Sequence, residues 1–416
     1  MNGSPQARPF DLVLWGATGF TGRLVAEHLA RSAPDLRWAL GGRSAQKLEA
    51  VRAGLARNHP ALASLPILLA DAADPASLAA MVKQARVACS TVGPFAIHGK
   101  PLVRACVEQG TEYCDSTGEP HFVRALIDEH HEAARRSSVR VVPCCGFDSV
   151  PSDLGTFMLA EHARREGRAL AEVRMLLGPW RGGPSGGTVA SMIAIVEAAS
   201  HDRALRRQLA DPYGLSPDRA HDLDTDGYDS MAVHHDRALG IWTGPFIMAS
   251  INARIVRRSN ALTGHAYGKR FRYSEALSFR GNARGLLGAV ETALGTMAGG
   301  ALASLPAGRA LLRRFVPAQG EGPTMDELTR GFFKARFYAT FEGDDRARLL
   351  GRVEGKQDPG YLETAKMVGE SALSLARDPK RPGFEGGVLT PATAMGDALL
   401  ERLRKVGMVF AVEPLG

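Results

Sequence analysis

The feature that most constrains this chain is Gly16-Ala17-Thr18-Gly19-Phe20-Thr21-Gly22, set directly after the apolar run at 10–15. A glycine turn that closes a strand and opens a helix lets backbone N–H groups approach a pyrophosphate, and the helix N-terminus favours negative charge there. The following stretch is amphipathic, with Leu24, Val25, His28 and Leu29 on one face. The spacing is GxxGxxG and departs from GxGxxG, so a tight structural turn is the competing reading. Context favours the dinucleotide site. Apolar runs recur at 37–40, 66–70, 86–91, 112–115 and 139–145, with helical patterns between them. Six strands with right-handed crossovers predict an α/β fold: a Rossmann-type doubly wound parallel sheet.

Ligands of such sheets sit beyond the carboxyl ends of the strands. After strand two stands Gly41-Gly42-Arg43-Ser44, with Lys47 one turn on. No carboxylate is present for a ribose 2′-hydroxyl, whereas Arg43 can form paired bonds to a 2′-phosphate, so the expected cofactor is NADP(H). The expected cofactor contacts are Gly16, Thr18, Gly19, Phe20, Thr21, Gly22, Arg43, Ser44 and Lys47. Asp71 follows strand three near the adenine, and Thr91, Val92, Gly93 and Pro94 follow strand four near the nicotinamide ribose. Residues 115–119 and 145–149 end strands five and six; Asp148 or Ser152 reads equally as a helix cap or a ligand contact.

Beyond Pro151 the pattern changes to that of a second, α+β domain. The expected division is 8–152 for NADP binding, 153–385 for substrate and dimerisation, and 386–416 as a segment returning to the first domain. A hairpin is expected from 335–343 and 347–355, turning at Asp344-Asp345, then helices at 361–377 and 393–406. Residues 292–308 carry no charge and are rich in Ala, Gly and Leu. A membrane span needs about 20 mostly apolar residues, and Gly299, Gly300 and Pro306 interrupt this run. It reads as a buried helical hairpin, with an acyl-chain wall or an interfacial helix ahead of Arg309, Arg313 and Arg314 as alternatives.

The net charge of +7 comes mostly from scattered Arg with Asp or Glu nearby, which argues against nucleic acid. Cys89, Cys106, Cys114, Cys144 and Cys145 are odd in number and contain no CxxC, so buried reduced thiols in a cytoplasmic protein are expected. Residues 1–9 lack the apolar core of a signal peptide.

GATGFTG, the Gly-Arg-Ser after strand two, TVGPF at 91–95, the Asp-x-Thr-Gly-Glu at 115–119 and CGFDSVPSDLG at 145–155 resemble the saccharopine dehydrogenase-like oxidoreductases. SGGTVASM at 185–192, PFIMASINARIVRRSNAL at 245–262 and GGVLTPATAMGDAL at 386–399 resemble one branch of that family. That branch is the trans-acting enoyl reductases of mycobacterial polyketide synthases making phthiocerol-type lipids. The resemblance implies reduction of a carbon–carbon double bond on an acyl or polyketide chain held by a carrier protein of a partner synthase, with NADPH. Hydride would reach the β-carbon and a proton the α-carbon.

An enolate needs donors, and Ser185, Gly186, Gly187 and Thr188 offer N–H groups at a helix N-terminus. For the proton, His98 after strand four ranks first and Tyr267 is a second candidate. Arg254 is the expected substrate contact from the 254–258 arginine cluster. That cluster also keeps open a saccharopine-reductase-like amino-acid dehydrogenase. A non-catalytic NADP-binding protein in peripheral contact with lipid is the remaining alternative.

Overall fold

The computed structural model describes residues 8–183, 185–217, 232–314 and 321–415. The polar segment before Arg8 and Pro184 of the Gly-rich loop lie outside them. Six parallel strands come first: β1 (Phe10–Trp15), β2 (Trp38–Gly42), β3 (Ile67–Leu69), β4 (Ala85–Ser90), β5 (Glu112–Asp115) and β6 (Arg140–Val142). In space they run β6-β5-β4-β1-β2-β3, every pairing parallel. This is the doubly wound order that reverses between β1 and β4 and opens a crevice there. Helices cover both faces, which is why β1 and β2 read as continuous apolar runs.

The second sheet holds β7 (Leu170–Arg181), β8 (His234–Asp236), β9 (Ile241–Gly244), β10 (Arg272–Arg280), β11 (Phe332–Phe341) and β12 (Asp344–Gly355). The chain then adds β13 (Gly387–Val388) beside β6 and ends in β14 (Val409–Leu415) beside β12. The second sheet is ordered β14-β12-β11-β7-β10-β9-β8, antiparallel except for β7 with β10. Along β11 the inward residues Phe333, Ala335, Phe337, Ala339 and Phe341 alternate with half-buried ones, as a strand with one covered face must.

Several expectations are corrected. The β11–β12 turn falls at Glu342-Gly343, where Gly343 takes φ +72°, and not at Asp344-Asp345. The last helix divides at Met395 into Pro391–Ala394 and Gly396–Lys405, the second opening on Gly396 with φ +47°. The C-terminal segment meets the first sheet through β13 and through the short helix Pro391–Ala394, which packs on β6. The helix Thr364–Arg377, expected to serve the second domain, packs on the helix Phe20–Ser32 and on β4, β5 and β1. One apolar core therefore runs from Leu12, Leu14 and Val142 through Leu154, Phe157 and Val368 to Phe333 and Phe337. All five cysteines are buried and free.

The expected buried hairpin is also overturned. Residues 292–308 belong to the helices Ala283–Ser304 and Pro306–Arg313. The first is long and apolar enough to cross a membrane by length and composition, yet only 17% of its most apolar window is buried.

Candidate functional site

The turn after β1 is shaped by two glycines. Gly16 has φ +91°, and a Cβ there would stand 2.6 Å from Val92 Cγ2 and 2.8 Å from Thr91 Oγ1. A Cβ on Gly22 would lie 2.1 Å from the Gly16 carbonyl oxygen, so the helix Phe20–Ser32 can start only across a bare backbone. The Thr91 hydroxyl lies 3.3 Å from that same oxygen and donates to it, tying the loop after β4 to the turn after β1. The result is a cleft of about 700 Å³ at the strand-order reversal.

This cleft is lined by Gly16, Thr18, Gly19, Phe20, Thr21, Arg43, Asp71, Thr91, Val92, Gly93 and His98. Gly186 and Gly187 reach it from across the crevice. Arg43 is exposed at its lip, free to meet an anionic group. Gly22, packed against the Gly16 carbonyl, and Pro94 are not in its wall. Ser44 and Lys47 are absent from its wall, and Ser44 Oγ caps the helix Ala45–Asn58 by accepting from Lys47 N–H.

A second cavity of about 370 Å³ adjoins the first and shares Thr21, Thr91, Gly93 and Gly187 with it. Its walls carry Phe95, Phe147, Trp180, Met192, Ile195, Phe246, Ile247, Met248, Leu277 and Phe279, with Thr292 and Thr296 from the helix Ala283–Ser304. Among the described residues no Lys, Arg or His lines it, and Asp148 is its one ionisable group. Gly118 leaves room for that carboxyl: a Cβ there would lie 3.3 Å from Asp148 Oδ2. Among the described residues the Asp148 side chain has no hydrogen-bond or ion-pair partner, and burial raises its pKa to about 7.

Donors face this junction from the helix Gly186–His201. Ser185 Oγ accepts from Thr188 N–H at 3.0 Å, and Gly186 N–H donates to the Tyr361 hydroxyl at 2.9 Å. Two of the expected donors are thus already engaged. Gly187 N–H has no partner among the described residues, and Gly187 lines both cavities. Glu119 fixes this arrangement. Its carboxylate accepts from Phe95 N–H at 2.8 Å, Ala96 N–H at 2.9 Å and the Ser191 hydroxyl at 2.6 Å, joining the β4 loop to the helix that bears Gly187.

Two expected residues stand elsewhere. Tyr267 is buried against Phe271 with ring centroids 5.7 Å apart, lines neither cavity, and burial pushes its hydroxyl well above the usual range. Arg254 is buried, and its guanidinium donates to the carbonyls of Asp211, Leu209 and Ser250. Arg257 and Arg258 likewise donate to backbone carbonyls, those of Pro212, Tyr273, Leu215 and Val388. None of the three lines either cavity. His98 lies on the cofactor side and is absent from the wall of the apolar cavity.

Sequence pattern does not single out Tyr361, which packs edge-on to Phe20 at 4.9 Å and lines the cleft. Nor does it separate Asp148 as a lining acid from Asp153, which accepts from the Ser259 hydroxyl and Ala392 N–H in the core.

The profile of the saccharopine dehydrogenase NADP binding domain matches residues 12–142. A trans-acting enoyl reductase of Mycobacterium ulcerans is 41% identical over 426 residues, covering 99% of this chain and all of the relative. A Mycobacterium tuberculosis protein provisionally given the same name is 45% identical over 413 residues, 96% of this chain and 97% of its own. Among solved structures, apo saccharopine dehydrogenase (L-Glu forming) of Saccharomyces cerevisiae aligns over 98% of this chain and all of its own. Its TM-score is 0.56 at 12% identity, a likeness of fold. The chain belongs to the trans-acting enoyl reductase family, and its cofactor is NADP(H), held by a saccharopine dehydrogenase-type binding domain. It is an NADP-dependent oxidoreductase.

Proposed function

We propose that the protein reduces the carbon–carbon double bond of an α,β-unsaturated acyl thioester. The acyl chain is delivered by a carrier protein of a separate synthase in the cytoplasm. The observation that carries this reading is the second cavity: apolar, without a cation, and open to the cofactor cleft at Thr21, Thr91, Gly93 and Gly187. A substrate with several carboxylates would need arginines there, and the 254–258 cluster is buried on backbone carbonyls instead. That weighs against the amino-acid dehydrogenase reading.

The cleft fits the cofactor on its own geometry: bare backbone at Gly16 and Gly22 under a helix N-terminus, with Arg43 at the lip. Bound NADPH supplies the hydride. The chain supplies position and charge. Trp180, Phe246, Ile247 and Phe279 hold the acyl chain and exclude water. Gly187 N–H, at the positive end of its helix, donates to the thioester oxygen as negative charge develops there. Asp148, protonated below about pH 7, carries the proton to the α-carbon. His98 stays on the cofactor side.

Purified protein incubated with NADPH and an enoyl thioester on carrier protein should consume NADPH and give the saturated product by mass spectrometry. Consumption of NADPH with a keto acid and ammonia instead would overturn the reading.

The cofactor assignment is tested separately at Arg43. Arg43→Ala should weaken NADPH by roughly 2 kcal/mol, about thirtyfold, for a lost charge-assisted contact, and leave NADH nearly unchanged. Paired titrations by nicotinamide fluorescence measure both. Equal loss for the two cofactors would remove Arg43 from the phosphate site.

A further inference from the structure

We propose that the exposed face of the hairpin Ala283–Ser304/Pro306–Arg313 docks on an anionic lipid bilayer and sets the mouth of the apolar cavity at the membrane surface. This rests on the acyl-chain reading above. Leu286, Leu287, Leu294, Met297, Leu305 and Leu311 are each between 37% and 60% exposed. Leu287 and Leu294 share one face of the helix at seven-residue spacing, and Leu305 is the extended residue that joins the two helices. Isolated exposed leucines are ordinary, but six within one hairpin mark an interaction surface.

The same helix has two other faces. Gly285, Ala289 and Ala293 are buried where it packs on β9 and β10, and Thr292 and Thr296 line the cavity. At the cavity wall nearby, Trp180 and Ile247 are themselves large exposed apolar groups. A ligand leaving the cavity therefore passes along apolar surface continuous with the hairpin.

Charge selects the occupant. Arg280 and Arg284 at the start of the helix and Arg314 at the end of the hairpin are exposed and make no ion pair among the described residues. Glu291 is the single acid on the long helix. An apolar stripe bracketed by unpaired arginines is the pattern of a helix lying in an anionic interface. A two-fold contact between copies would instead add the same three arginines again on the facing surface. Spanning is excluded by packing: leaving β9 and β10 would bare the small-residue face and carry Arg284 and Glu291 into hydrocarbon.

The test is co-sedimentation of the full chain with phosphatidylcholine vesicles and with vesicles containing phosphatidylglycerol, at low and high salt. Wild type should bind the anionic vesicles at least about tenfold more tightly, with binding weakened by salt. Leu294→Glu/Met297→Glu should lower that partition by about a hundredfold or more, and Arg280→Gln/Arg284→Gln by about tenfold. Both variants should keep NADPH affinity and the rate on a short, soluble enoyl thioester. Absence of vesicle binding, or equal binding by the Glu variant, would overturn the proposal. So would a wild-type dimer in sedimentation velocity that the Glu variant splits, since the face would then be a self-interface. Failure on the soluble thioester with vesicle binding intact would count against the acyl-reduction reading and leave the lipid surface standing.

Discussion

Asp148→Asn should lower turnover of an enoyl thioester by about 10²–10³-fold while NADPH binds as before. General acid catalysis by a positioned side chain supplies gains of that order. The carboxyl stands in the cavity wall against Gly118 without a partner, and removal from water raises its pKa to about 7. It holds a proton below that value and loses it above. The rate of the wild type should fall as pH rises through about 7, and the Asn variant should lose that limb. His98→Ala should keep it, because His98 lies on the cofactor side. Stability gives an independent readout of the same group. Its folded pKa lies above the ordinary 3.8, so between about pH 4 and 7 the folded chain binds more protons than the unfolded one. The contribution to stability is thus full at low pH and is lost as pH rises through that window. At pH 8 the wild type holds a half-buried, unpaired carboxylate in an apolar wall, and Asp148→Asn should unfold at a higher temperature than wild type there. An unchanged rate in the Asn variant would remove Asp148 from the chemistry, whatever its melting temperature.

What could be read from the sequence divides along a physical line. Gly16, Gly19, Thr21 and Arg43 act through local backbone and through the strand ends that carry them, so strand periodicity plus turn chemistry places them in the crevice. Ser44 shares that locality but its hydroxyl is claimed by a helix cap, a competing local use of the same residue type. Arg254 and Tyr267 fail for a different reason. Whether a guanidinium meets a ligand or the carbonyls of 209–211 depends on a loop more than forty residues away, and no spacing rule reports it. Asp148 and Asp153 stand five residues apart with similar local surroundings. Tertiary packing alone gives Asp153 the Ser259 hydroxyl and Ala392 N–H, while Asp148 keeps an empty shell. Tyr361, Trp180 and Ile247 come from beyond the first six strands: Tyr361 precedes the helix Thr364–Arg377 that packs on the first sheet, while Trp180 ends β7 and Ile247 follows β9, so only tertiary packing brings them to the two cavities. The run at 292–308 misled because composition reports apolarity and not which side it faces; four small residues, Gly285, Ala289, Ala293 and Ala303, are the buried ones of the helix, and Leu286, Leu287 and Leu294 stay outside.

Gly22→Ala should cost NADPH about a hundredfold or more in affinity, far beyond the effect of one methyl group in a helix. The reason lies in what the methyl would meet. Its Cβ would stand 2.1 Å from the Gly16 carbonyl oxygen and 2.9 Å from the carbonyl carbon and Thr91 Oγ1. Most of these are backbone atoms and cannot swing aside as a side-chain tip would, so the helix Phe20–Ser32 must shift off the turn. The first N–H groups of that helix move with it. Charge-assisted bonds to a phosphate contribute about 1.5–3 kcal/mol each and depend on distance and angle, so misplacing two of them accounts for the loss. Gly16→Ala should be as damaging by another route, since φ +91° is strained for any L side chain and Val92 Cγ2 waits 2.6 Å away. Gly54→Ala separates these effects from the general cost of adding a methyl. It lies in the helix Ala45–Asn58 with nothing within 4 Å of its Cβ position, so it should leave NADPH binding alone and add about 0.5–1 kcal/mol of stability. Calorimetric titration of the three variants, each first checked for a cooperative melt, tests the ordering. Wild-type affinity in Gly22→Ala would mean that the pyrophosphate does not rest on this turn, and the cleft at the β1–β4 reversal would lose its cofactor.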